Sequence, residues 1–206
     1  MENKNNIITL VNRILLNSNR PVIIVSGIHG DEPAGNVVAE LFRGTQGVKI
    51  ISGINNTGHR RLHGKDINRH FDTADQGELQ GMLLNQILEN NPKLVISLHE
   101  DDEVDAVYSY ASPSIKSIVE GILSSLELPL AETSHGDSAD SGVISKGKQP
   151  FKGTLEKALT KRGIPYCTIE TPSNWDLKVR TQTQQKIVSG LLEALKHQGY
   201  HSSLLA

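Results

Sequence analysis

His29 and Glu32 stand three residues apart in Gly27-Ile28-His29-Gly30-Asp31-Glu32-Pro33-Ala34-Gly35, and both are potential ligands for a divalent metal. The glycines around them let the backbone turn tightly enough for imidazole and carboxylate to converge on one ion. Two ligands do not complete a catalytic site. Zinc typically takes three protein ligands and keeps one position for water, and two histidines with a glutamate are an established set. The other chemistry-bearing residues are Asn68-Arg69, His99 and Glu170, with Arg60 and Arg61 a little upstream of the first pair.

Each of these residues falls at or soon after the carboxyl end of an expected buried strand, where open α/β sheets keep their active sites. Pro21 to Ser26 is an apolar run that reads as a strand leading to His29. Pro33 suits a first helical position, and Val37, Val38, Leu41 and Phe42 form the buried stripe of a helix that stops near Gly44. Val48 to Ile54 predicts a second strand, followed by a long polar loop from Asn55 to Phe71 that carries Arg60, Arg61, Asn68 and Arg69. Leu79 to Leu88 has helical spacing, Leu94 to Leu98 predicts the strand before His99, and Val107 to Tyr110 a short one. Ile115 to Leu123 predicts a further helix, Thr133 to Gly153 a long surface loop able to cover the site, and Leu155 to Gly163 a helix with a glycine stop. Ile164 to Ile169 is the strand before Glu170. A last helix carries Val179, Ile187, Val188, Leu191, Leu192 and Leu195 on one side, ends near Gly199, and has packing as its expected role. Ile7, Leu10, Val11, Ile14 and Leu15 predict an amphipathic helix at the start of the chain.

A length of 206 residues fits one globular domain, 1–206, with mass enough for a real core. A formal net charge of -2 leaves no basic field for nucleic acid and no polybasic patch for a membrane, so a small molecule or peptide is the expected partner. Cys167 is the single cysteine, flanked by Tyr166 and Thr168 in a strand, and reads as a core residue rather than a nucleophile. The first residues form neither a signal peptide nor a membrane span, so a cytoplasmic location is expected.

The four stretches Gly-x-His-Gly-Asp-Glu, Asp66-Ile67-Asn68-Arg69-His70-Phe71, Ser97-Leu98-His99 and Ile169-Glu170-Thr171-Pro172 resemble those of the zinc carboxypeptidase superfamily. The resemblance extends to its succinylglutamate desuccinylase/aspartoacylase branch and to the murein peptide amidases. It covers about residues 21–195 and is sharp at these four motifs. It implies a three-layer α/β/α domain with a mainly parallel, mixed sheet. It also implies that His29, Glu32 and His99 bind one zinc per chain, that Glu170 is the general base and acid, and that Asn68 and Arg69 hold a substrate carboxylate. Arg61, seven residues before Asn68 as in the acylase branch, would stabilise the oxyanion, with Arg60 as the fallback. The implied activity is hydrolysis of an amide next to a free carboxylate, on a small peptide; the alternative is an N-acyl-amino-acid deacylase. A catalytically silent carboxylate-binding module is a reading of a different class, and the intact Glu170 speaks against it.

Asp66 reads as a residue that shapes the loop or orients a neighbour. His59, His63, His70, His135, His197 and His201 read as solvated, with His135 in the expected cover loop. Glu100-Asp101-Asp102-Glu103-Val104-Asp105 is by default a solvated acidic loop. If some of these acids faced the pocket, they would favour a substrate with a free amine near its carboxylate, such as a diaminopimelate-containing wall peptide. The tyrosine that digestive-type carboxypeptidases carry on a mobile loop has no counterpart between Ala131 and Pro165.

Overall fold

The computed structural model describes residues 19–71, 78–134, 137–144 and 152–203, with residues 197–203 by backbone alone. In chain order the first elements are β1 (Val22–Ser26), α1 (Pro33–Leu41), β2 (Val48–Ile51), β3 (Arg61–Leu62), β4 (Lys65–Asp66), a 3-10 turn (Ile67–Arg69) and α2 (Leu79–Glu89). There follow β5 (Leu94–Asp101), β6 (Tyr108–Ala111), α3 (Lys116–Ser124), β7 (Thr133–Ser134), β8 (Asp137–Asp140), β9 (Val143–Ile144), α4 (Leu155–Thr160), β10 (Tyr166–Pro172) and α5 (Leu177–Ser203). Eight strands form one mixed sheet in the order β2-β1-β5-β10-β6-β9-β8-β7, and β3 with β4 makes a separate hairpin. The four strands from β2 to β10 are mutually parallel, and β6 turns antiparallel to β10.

Both faces of the sheet's centre are covered, which is why its strands read as unbroken apolar runs rather than alternating ones. Val22, Ile24, Leu94, Ile96, Leu98, Cys167 and Ile169 pack with α1, α3 and α5 on one face. Ile23, Val25, Val95 and Tyr166 pack with α2 and α4 on the other. The three-layer α/β/α arrangement with a mainly parallel sheet is therefore as expected. Among the described residues no helix is long and apolar enough to cross a membrane.

The structure corrects several details. Val37 and Leu41 are exposed. The buried face of α1 is instead Ala34, Gly35, Val38 and Ala39, because Gly35 lies against Leu98 so closely that a Cβ there would stand 3.0 Å from Leu98 Cβ. Val179 is also exposed, and α5 continues past Gly199. The expected surface loop from Thr133 to Gly153 contains β7, β8 and β9, which extend the sheet at its edge. Short polar strands such as Asp137-Ser138-Ala139-Asp140 carry no apolar period, so nothing in their composition separates them from a loop. The expected N-terminal helix and His135 lie outside the described residues.

Candidate metal centre

Strand ends deliver the candidate residues to one place. β1 runs into His29, β5 carries His99, and β10 carries Glu170 directly beside His99 in the parallel register. The close approach of α1 to Leu98 brings Glu32, the residue before Pro33, against the neighbouring His99. His29, Glu32 and His99 each offer a ligand atom, and those atoms lie within 4.8 Å of one another. Among the described residues this is the one group that could hold a metal ion.

The two imidazoles share one carboxylate. His29 Nδ1 lies 2.7 Å from Glu32 Oε1, and His99 Nδ1 lies 2.9 Å from Glu32 Oε2. Burial pushes the Glu32 carboxyl up, but the charges and hydrogen bonds of His99 and His29 outweigh it and hold it down at about 2. Burial lowers His29, yet its hydrogen bonds to Asp66 and Glu32 outweigh that and lift it to about 9. Two histidines and a glutamate, all buried and converging through Nδ1 and carboxylate atoms, fit the donor set of a zinc site. A divalent ion would take the place of the protons that now lie between them.

Supporting contacts hold the candidate ligands from both sides. Asp66 Oδ1 accepts from His29 Nε2 at 3.1 Å, the carboxylate-histidine arrangement that orients metal-ligating imidazoles. The same oxygen caps the 3-10 turn by accepting from Asn68 N at 2.9 Å. Asp66 thus shapes its loop and orients a neighbour at once. Behind the sheet, Gln184 Nε2 donates to the His99 carbonyl at 2.9 Å and to Thr171 Oγ1 at 3.0 Å. Glu100 Oε1 accepts from Ala34 N at 2.7 Å in the first turn of α1, and its other oxygen pairs with Arg180 of α5.

Glu170 is the one partly buried residue of β10, the other six being enclosed. Burial in the strand pushes its carboxyl up to about 8; the charge of His99 opposes this, while Glu32, Asp101 and Glu156 add to it. Asn68 is buried, and its Oδ1 accepts from Leu155 N at 3.0 Å, which ties the 3-10 turn to the start of α4. Arg69, half-exposed, donates to Asn68 O and lies 3.8 Å from Asp66. Gly153 makes this tie possible. Its φ of +83° and a would-be Cβ 1.8 Å from Arg69 O leave no room for any side chain.

The two adjacent arginines are placed differently. Arg60 reaches Glu32 Oε1 at 3.4 Å and donates to the Glu100 carbonyl at 3.1 Å, with Asp102 at 3.7 Å and Asp31 at 3.9 Å around it. Arg61 is exposed on β3, opposite Asp66, in a hairpin closed by His63 and Gly64. Both turn residues have positive φ, the signature of a tight two-residue hairpin.

The acidic run does not behave as one solvated loop. Glu100 and Asp101 are buried; Asp101 accepts from Tyr108 Oη at 2.5 Å and from Glu103 N at 2.8 Å. Sequence reasoning passed over Arg180, Gln184 and Glu156. Arg180 and Gln184 had one available signal, two polar residues four apart in a helix otherwise read as a packing stripe.

No family model and no curated protein matches this chain. Solved structures do. A candidate metallopeptidase from Shewanella amazonensis is 21% identical with a TM-score of 0.70, over 87% of this chain and 79% of its own. The cell shape determinant protein Csd4 from Helicobacter pylori, solved with a bound tripeptide, is 19% identical with a TM-score of 0.60, over 86% of this chain and 52% of its own. The murein-tripeptide amidase MpaA from Escherichia coli is 14% identical with a TM-score of 0.57, over 87% and 82%. At such identities the likeness establishes the fold: this chain is folded as those metallopeptidases and that amidase are.

Proposed function

We propose that this chain is a zinc-dependent hydrolase that cleaves the amide bond next to a free carboxylate at the end of a small peptide. The observation that carries the reading is the meeting of His29, Glu32 and His99 within 4.8 Å, with Glu170 beside His99 on the adjacent strand. A peptide substrate is supported by the neighbours, one solved with a tripeptide and one a murein-tripeptide amidase.

His29, Glu32 and His99 would hold the metal, which supplies Lewis-acid activation of water and carbonyl when bound. Glu170 takes a proton from the attacking water and returns it to the leaving amine. Its access to solvent, unlike the rest of β10, leaves room for both transfers. Arg60, already within 3.4 Å of Glu32, is the better placed arginine for the oxyanion, with Arg61 the second candidate on the hairpin. Arg69 takes the substrate carboxylate by charge-assisted hydrogen bonds, and Asn68 holds the turn that presents it.

Elemental analysis of protein purified without added metal should find about one zinc per chain, lost in His99→Ala. Glu170→Gln should keep the metal and the fold, and lower kcat on a blocked peptide with a free carboxyl end by roughly 10²–10⁴. Full-rate hydrolysis by that variant would remove Glu170 from the mechanism. Turnover of N-succinylglutamate or N-acetylaspartate, with peptides left intact, would transfer the reading to acyl amino acids.

A further inference from the structure

β2 closes one edge of the sheet and is paired along β1 alone. Its two faces are treated unequally. Val48 and Ile50 join the apolar cluster on the side of α1, whereas Ile51 and the following Ile54 join that of α2. Lys49 reaches over to the Asn90 side chain at the end of α2. Between this edge and α2 lies an open groove of about 480 Å³, lined in part by Ile51, Ile54, Leu79, Met82, Leu83 and Glu89. Met82 is the most exposed large apolar side chain among the described residues. An uncovered sheet edge with an apolar flank is a template for unwanted pairing, and folded chains commonly lay a helix or loop over it.

The chain enters the domain at one end of this groove. Arg20 Nε donates to the Asn91 carbonyl at 2.8 Å and Nη2 donates to that of Pro92, both just beyond the end of α2. Pro21 O accepts from Lys93 N at 2.9 Å. The residues before Arg20 therefore set out from the Glu89 end of the groove. Among them Ile7, Leu10, Val11, Ile14 and Leu15 recur at helical spacing. α2 has 11 residues and is about 16 Å long, and a helix over residues 7–17 has the same length. Laid beside α2 from that end, it sets Ile14 against Gln86, Leu10 and Val11 against Met82 and Leu83, and Ile7 against Leu79.

We propose that residues 7–17 of this chain occupy the groove as an amphipathic helix parallel to α2, with Leu10 and Val11 over Met82. The rival seat is the face of α1 where Val37 and Leu41 stand exposed, on the other side of the sheet from the helix whose end holds Arg20. Docking beside α2 also braces the approach to the candidate metal centre. Ile54 is followed by Asn55, whose N–H donates to Gly27 O at 2.7 Å and whose side chain donates to His59 O at 2.8 Å. The proposal does not depend on which reaction that site performs.

Thiol labelling of the full chain tests it. Cys167 is fully buried and gives no background. Met82→Cys and Leu41→Cys replace side chains of nearly equal exposure, 58% and 55%, so without a cover they react alike. Met82→Cys should react at least about tenfold more slowly, since a docked segment admits reagent only when it opens. Adding Leu10→Asp should abolish that protection and leave the Leu41→Cys rate unchanged, because the new carboxylate resists burial against Met82. Asn12→Asp, on the polar side of the segment, should keep it. Equal rates for the two thiols, or protection unmoved by Leu10→Asp, overturn the placement. Slower reaction of Leu41→Cys puts the segment on α1, and protection of Met82→Cys that fades on dilution gives the groove to a second copy; either result also overturns it.

Discussion

His99 and Glu100 are neighbours on β5, equally enclosed, and face opposite layers of helices. On the side of α1 and α5 the charges are matched one to one: Glu100 has Arg180, with an α1 backbone N–H as a further donor. On the side of α2 and α4 they are not. His99 leans on Glu32, which Arg60 reaches at 3.4 Å from the loop, Glu170 is pushed up to about 8, and among the described residues His99 Nε2 and Ser97 Oγ are buried without hydrogen-bond partners. Buried charge is tolerated when paired and costly when not, so the first arrangement is a strut and the second the candidate metal centre. The matched side also serves the other, since Gln184 of α5 holds the carbonyl of His99 and Glu100 holds the start of α1, where Glu32 sits.

The contrast is broken most directly by Arg180→Leu, which strands Glu100 in the interior. Urea unfolding should show a loss of about 3–5 kcal/mol, and adding Glu100→Gln should recover more than half of it. A loss below about 1 kcal/mol would mean that the pair is no strut.

A smaller effect is expected where the strut meets the site. Gln184→Leu frees the His99 carbonyl, and should weaken divalent-metal binding about tenfold in competition with a chromophoric chelator. Metal affinity within twofold of the parent would show that His99 is placed without help from α5.

The least effect is a pH slope in metal-free protein. Glu170 at about 8, against an ordinary 4.5, and His29 at about 9, against 6.5, each keep a proton in the folded chain that the unfolded chain releases. Their contributions are full below those ordinary values and fall away as pH rises, so stability should decline between pH 5 and 8. Glu170→Gln should flatten the decline by about 1 kcal/mol, a reduced share because solvent reaches this side chain. Divalent-metal affinity should rise over the same range, since binding must displace the His29 proton. Stability that climbs from pH 5 to 8 in the presence of chelator would contradict the assignment.

Much of the fold was legible because β1, β5 and β10 are covered on both sides and so appear as continuous apolar runs, each leading into a polar residue. The same clarity located His29, His99 and Glu170. Legibility failed where side-chain period carries no information. In α1 the inward face was chosen by Gly35 against Leu98, and Val37 and Leu41 were left outside. Arg60 and Arg61 are chemically identical, and their different surroundings follow from the hairpin register that sets Arg61 across from Asp66. Arg180 and Glu100 are 80 residues apart, so nothing local links them.

Residue types and strand ends in the sequence determined that a His, Glu, His and Glu set would gather at the carboxyl ends of the central strands of an α/β sheet. Those properties are local: a buried strand needs apolar runs, and a strand end needs a polar exit. Tertiary structure alone decided which acids are answered. Pairing depends on which helix lies over each face, and that placement gave Glu100 an arginine while Glu156, among the described residues, has a hydroxyl.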